Sequence, residues 1–135
     1  MKILDPSENF SKITELIKNA EEFVVLVSPY TALEGFDSLI EAINNTNERN
    51  VKTSYYVRED VGIEGTDVLN VDIYEVPGLH AKMFFSEKEA IIGSYHLKNT
   101  DEINWGYVLD YPEEYNEMKD FFEKQIKKLA VPYKK

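Results

Sequence analysis

Cysteine is absent from this chain of 135 residues. That removes disulfide frameworks, thiolate zinc sites and cysteine nucleophiles together. Long apolar runs are also missing, and none approaches the roughly 18 to 20 residues of a transmembrane helix. The opening Met1-Lys2-Ile3-Leu4-Asp5-Pro6 turns polar too soon for a signal peptide. Positive charge is scarce: 15 basic residues face 25 acidic ones, for a net charge of −10. Capture of nucleic acid or of an anionic membrane by bulk charge is therefore disfavoured, although a small local basic patch is not excluded. These absences predict a cytoplasmic chain with no membrane contact, in a reducing compartment.

What is present is a globular composition, with 43% hydrophobic and 13% aromatic residues. At this length the natural reading is one domain, residues 1–135, with room for a sizeable core. Asp5-Pro6-Ser7-Glu8 reads as a capped helix start, followed by an apolar face through Phe10, Ile13, Leu16, Ile17 and Ala20. Phe23 to Val27 is a short β-branched run, a strand buried on both faces. Thr31-Ala32-Leu33-Glu34 reads as a second capping box before a helix carrying Phe36, Leu39, Ile40 and Ile43. Strands are predicted at about 51–57, 71–76, 79–85, 89–93 and 105–109, with 59–70 as a mobile loop. Tyr55 and Tyr56 cannot both face one core, so one of them is expected at the surface. Pro112 opens a last helix whose apolar side holds Tyr115, Met118, Phe122, Ile126 and Leu129. Interleaved helices and strands predict an α/β fold: a mixed, centrally parallel sheet flanked by helices on both faces.

The chain has two histidines, His80 and His96. His80 stands in Gly78-Leu79-His80-Ala81-Lys82-Met83, where strand alternation sets an imidazole beside an ammonium. That pair suits a phosphate, because the imidazole can attack or protonate while the ammonium offsets oxyanion charge. Alone, the spacing favours a plainer account, a backbone-bonded His and a solvent-reaching Lys. The next strand of the chain shifts that balance. Ala90-Ile91-Ile92-Gly93-Ser94-Tyr95-His96-Leu97 would bring a hydroxyl and a close backbone approach beside His80 and Lys82 across a hairpin.

Leu79-His80-Ala81-Lys82, the hairpin, Ile91-Ile92-Gly93-Ser94 and Leu97 together resemble the HKD signature of the phospholipase D superfamily, in its small bacterial single-motif form. Val25-Leu26-Val27-Ser28-Pro29-Tyr30 is similar to the end of the first strand in those members. The resemblance implies a metal-independent phosphodiesterase, most simply nuclease-like, with no cofactor. One motif's histidine attacks phosphorus to give a phosphohistidine, and a second motif's histidine protonates the leaving oxygen and then activates water. A chain with one motif would work as a homodimer sharing one site. His80 and Lys82 would carry the chemistry, with Ser94 donating to a phosphate in nucleic acid or another phosphodiester.

The chain also departs from the pattern. The motif's Asp falls near Ser86-Glu87, with Glu87 the nearby carboxylate. His96 replaces the family's Asn, as a further phosphate contact or a hydrogen-bond donor. Asn104 stands where a Glu orients the catalytic His, and Glu102 is the carboxylate that could substitute for it. These departures support an alternative: a catalytically degenerate phospholipase D-like protein that binds a phosphate, nucleotide or protein partner in a regulatory or anti-defence role.

Overall fold

A short edge strand, β1 (Lys2–Leu4), runs into a 3-10 turn over Pro6–Glu8 and then α1 (Asn9–Asn19). The start is closed by the expected capping box, in which the Asp5 N–H donates to Glu8 Oε1 at 3.2 Å. Ile13, Leu16 and Ile17 are the buried stripe of α1, and the guanidinium of Arg49 donates to the helix's last carbonyls at Ile17 and Lys18 and to that of Ala20. The structure, a computed structural model, describes residues 2–98 and 103–134.

β2 (Phe23–Val27) is followed by a two-residue strand, β3 (Thr31–Ala32), and by α2 (Asp37–Asn45). The anticipated capping box at Thr31–Glu34 does not form. Thr31 and Ala32 instead pair with a later segment, the Thr31 hydroxyl bonds the Tyr55 phenol, and α2 starts only after Phe36. Tertiary pairing has overridden a local signal. β4 (Lys52–Arg58), β5 (Asp72–Val76), β6 (Met83–Ser86), β7 (Ala90–Gly93), β8 (Leu97–Lys98) and β9 (Gly106–Val108) follow. The 59–70 loop is tied down: the Asn44 amide donates to the Val68 carbonyl, and the Asn47 amide donates to that of Asn70. α3 (Pro112–Phe121) passes into a π-helical turn (Phe122–Ile126) and a 3-10 turn, and β10 (Val131–Pro132) closes the chain. These turns break the 3.6-residue period, so Leu129, expected on the apolar side, is exposed.

Eight strands form one sheet in the order β1-β9-β7-β6-β2-β4-β5-β10. β2, β4 and β5 are parallel, and the other neighbours are antiparallel. The predicted mixed, centrally parallel sheet is thus present, and each face has its own core. Leu26 and Tyr55 pack with the α1 and α2 side chains, while Val27, Tyr56 and Phe85 pack under Met118, Phe122 and Ile126. Two cores explain why Tyr55 and Tyr56 are both buried, contrary to expectation.

The parallel strands run toward one edge of the sheet, where β2 gives out at Ser28-Pro29-Tyr30. β6 starts at that edge, β7 ends there and β9 starts there. At the opposite edge the β6–β7 turn carries Glu87. Its carboxylate accepts the backbone N–H groups of Glu21, Glu22 and Phe23 at 2.8, 3.1 and 3.2 Å. Burial alone would raise its pKa, but the N–H groups of Glu21, Phe23, Glu87 and Glu22 outweigh burial and hold it below the usual value. The motif's carboxylate position therefore serves as a clasp on the start of β2.

Glu87→Ala is expected to cost about 1–2 kcal/mol in urea unfolding at pH 7, given partly exposed charge-assisted bonds. Because the folded-state pKa is depressed, the contribution is present above the unfolded carboxylate value near ~4.3 and lost as pH falls through the folded value. The wild-type and variant stability curves should converge on the acid side.

Candidate active site

β2 offers no partner to β6 past Val27. On the β4 side its bonding runs on, from the Ser28 N–H to the Tyr56 carbonyl at 3.0 Å and from the Arg58 N–H to that of Pro29 at 3.1 Å, but Pro29 has no N–H to give on the other side. Without a neighbour, the antiparallel pairing of β6 stops at Met83 opposite Val27. Leu79 to Lys82 is consequently irregular, and the prediction of a strand from 79 to 85 holds only from Met83. Strand alternation does not set His80 beside Lys82. A turn at Gly78 (φ 65°) and the Gly93 N–H donating to the Lys82 carbonyl at 3.4 Å position the segment instead.

His80 is exposed. Among the described residues its side chain makes no hydrogen bond or ion pair. Lys82 is half-buried and has no carboxylate partner among the described residues, and partial desolvation lowers its pKa. A desolvated ammonium in an acidic chain is poised for an anion.

His96 is better fixed. Its Nδ1 accepts the Tyr30 N–H at 3.3 Å, and its ring meets the Tyr30 ring edge-on at 5.0 Å. The Nδ1 lone pair is thereby used, so in the neutral ring the proton sits on Nε2. Burial, then the charges of Lys82, Lys98 and His80, push its pKa down to about 4. The charges of Lys82 and His80 thus reach the half-buried His96 ring, which sets the three side chains at one mouth. Ser94 lies on the same edge: its hydroxyl donates to Asn104 Oδ1 at 3.2 Å and accepts the Trp105 N–H at 3.0 Å. Asn104 is thus engaged with Ser94. Glu102 lies outside the described residues.

Local packing explains the Gly-Ser pair. A Cβ at Gly93 would lie 2.6 Å from the Trp105 carbonyl oxygen and 2.7 Å from the Tyr95 ring. Tyr95 is buried against Phe84 and Phe10, while Ser94 and His96 on either side of it are half-buried. The Tyr95 ring has no face at the surface, whereas Tyr30 and Trp105 remain exposed, 37% and 49%. Sequence reasoning missed Ser28. Its buried hydroxyl accepts the Leu97 N–H and donates to the Tyr30 carbonyl, both at 2.7 Å, and its only sequence signal is a Ser-Pro at a strand end. Among the described residues no three His, Asp or Glu side chains gather to hold a metal ion.

This arrangement of sheet, helices and edge is a phospholipase D-like fold. NucT from Helicobacter pylori superposes with a TM-score of 0.77 at 14% identity, covering 98% of both chains. Nuc from Salmonella typhimurium, a phospholipase D family member, gives 0.74 at 12% identity over 99% of both. TrmBL2, an archaeal chromatin protein with a novel mode of DNA binding, gives 0.68 at 13% identity, over 98% of this chain and 54% of that one. At these identities the likeness is one of fold. No protein-family profile matches the chain, and no curated protein sequence matches it.

Gly93→Ala should destabilise by about 1–3 kcal/mol through overpacking against fixed backbone, read from the urea midpoint. NMR of the imidazole carbons should find His96 uncharged from pH 8 to 5, with its transition near 4. Since that folded value lies below the unfolded 6.5, its stability contribution is whole above 6.5 and falls away as pH drops toward 4. His96→Asn should flatten stability across that window.

Proposed function

We propose that this chain is a metal-independent phosphodiesterase of nuclease type, a single phospholipase D-like unit working as a homodimer through His80, Lys82 and Ser94. The observation that carries this reading is the gathering of His80, Lys82, His96 and Ser94 at one sheet edge, with no carboxylate on Lys82 among the described residues. An imidazole nitrogen of His80 attacks phosphorus, and the phosphorus bond to the leaving oxygen breaks. That oxygen takes its proton from His80 of a second copy. The now neutral second imidazole removes a proton from water, and the hydroxide displaces the first histidine to release a phosphomonoester. Lys82 offsets the charge on the non-bridging oxygens. The neutral His96 donates to the phosphate through Nε2–H, and Ser94 does so once its hydroxyl turns from Asn104 Oδ1 to the phosphate oxygen.

The sheet supports pairing of two copies. Val27, Met83, Ile92, Tyr107 and Ile3 stand opposite one another across five strands, so they share a face. α3 covers the Val27 end, while at the other end Ile3 is 67% exposed and Phe121 of α3 is 47% exposed. A second copy seated there lies against the strands that carry Ser94 and lead from Trp105.

One observation favours a second reading, a binding protein with a degenerate site. Ser94 is bonded to an amide at Asn104, and among the described residues no carboxylate bonds His80 to orient it. The fold also serves in a DNA-binding chromatin protein, TrmBL2.

Labelled single- and double-stranded DNA and RNA oligonucleotides, incubated with EDTA, decide between them. The enzyme reading expects cleavage that survives the chelator and falls by about 1,000-fold or more in His80→Ala, the loss expected on removal of a nucleophile. Tyr107→Glu should turn a sedimenting dimer into a monomer and abolish cleavage with it. Absence of cleavage on every substrate, with binding retained in His80→Ala, would instead establish the binding reading.

A further inference from the structure

Beside Tyr30 the surface opens into a groove of about 630 Å³. One wall is the segment from β3 to the start of α2, and the other is the 59–70 loop. The two are packed closely at their base. A Cβ at Gly62 would lie 2.2 Å from the Pro29 carbonyl oxygen, and one at Gly65 (φ 84°) would lie 2.4 Å from that of Thr31. Asn44 of α2 holds the far end of the loop, donating to the Val68 carbonyl and accepting the Asn70 N–H, both at 2.9 Å. The groove is thus set by the fold itself, which lowers the ordering cost of binding.

Its apolar lining is open to water. Tyr30, Val61 and Val68 are 37%, 47% and 46% exposed. Exposed apolar side chains gathered in one place and rimmed by polar groups mark an interaction surface. The rim here has one sign of charge. Glu34 and Asp37 stand on one wall, and Glu64 and Asp67 stand on the other, each pair three residues apart. All four are exposed, and none makes an ion pair or a side-chain hydrogen bond among the described residues. No lysine or arginine lines the groove; Lys98, opposite Ala32 in the register, lies outside the lining. Acids elsewhere are partly neutralised, as Glu21 is by Lys88 and Glu123 by Lys127. Two carboxylate pairs facing each other across an apolar strip complement a chain with cations on both sides of its apolar side chains. A single small cation meets one wall only and leaves the strip uncovered.

We propose that this groove docks a basic amphipathic segment of a partner protein, its apolar side chains on Tyr30, Val61 and Val68 and its lysines or arginines toward the two carboxylate pairs. The docking surface does not depend on the phosphodiester reading, although the two regions meet at Tyr30, whose N–H holds the His96 ring.

A short capped peptide of alternating lysine and leucine is the probe, titrated into the full chain and followed by amide NMR. One control replaces leucine by glycine and keeps only the charge, and a second replaces lysine by glutamate and keeps only the apolar side chains. The lysine–leucine peptide should shift the amides of Tyr30, Ala32, Gly35, Val61 and Val68 with an affinity of about 10–100 µM at low salt. Each control should bind more weakly by about tenfold or more. The double variant Glu64→Gln with Asp67→Asn should weaken the peptide about fivefold, and so should Val68→Ser, while the spectrum around His80 stays unchanged. Equal binding of the glycine control would reduce the groove to bulk negative charge and overturn the proposal. So would shifts centred on the acidic start of α3 at Glu113 and Glu114, unchanged affinity in either variant, or no shift at millimolar peptide. Butylammonium binding as tightly as the peptide would make this a small-cation site, and groove shifts on raising the protein concentration alone would make a second copy the occupant. Either result overturns the proposal as well.

Discussion

The buried hydroxyl of Ser28 is the joint on which the functional edge depends. It accepts the N–H of Leu97 and donates to the carbonyl of Tyr30. One side chain thus fixes both the turn that ends β2 and a segment 69 residues later in the chain. The arrangement of the mouth rests on those two hydrogen bonds. With Tyr30 held, its N–H meets the His96 ring. With Leu97 held, β8 can pair with β3. The hydroxyl is fully enclosed, and a buried polar group left half-bonded costs about 1–3 kcal/mol. The geometry is therefore strongly preferred over a frayed strand end.

Much of the architecture is legible in the sequence because it rests on periodicity. The Phe23–Val27 run, the Ile13-Leu16-Ile17 stripe, the Ser86–Glu89 turn and the proline that opens α3 all express local rules, and all appear in the structure. What the sequence hides is long-range. β3 and β8 are two residues each, too short for any period to register, and they exist only because Ser28 aligns them. The same cause displaced the expected helix cap at Thr31. The site shows the same division. His80, Lys82 and Ser94 are conspicuous as a pattern, yet the expected pairing of His80 and Lys82 on one pleat assumed a strand partner that β2 does not supply beyond Val27.

Glu87 makes a related point about reading motifs as chemistry. A carboxylate a few residues beyond a His-x-Lys invites a catalytic role. Here it sits at the far end of β6, bonded to three backbone N–H groups at the start of β2. It works through the sheet, by holding the central strand in register with the hairpin that carries Lys82 and Gly93. The positions at the mouth that depart from the resembled family, His96 and Asn104, are likewise engaged, one with Tyr30 and the other with Ser94. Both side chains thus belong to a hydrogen-bonded edge.

The net charge of −10 then acquires a local meaning. Most basic side chains of the last helix are spent on neighbours, as in Lys124 with Asp120 and Lys127 with Glu123. Lys82 is different, because it is partly desolvated and unneutralised by any described carboxylate. Its attraction for an anion acts over a short range, against the net negative charge of the chain as a whole. Such a site cannot rely on electrostatic steering of a polyanion, which requires a broad positive field. On the proposed phosphodiester reading, selection would rest on fit at a single phosphate, with Lys82, Ser94 and a neutral His96 supplying contacts that form only on close approach. Weak capture and local recognition are then consequences of one charge distribution, and affinity at this edge depends on contact geometry far more than on bulk charge.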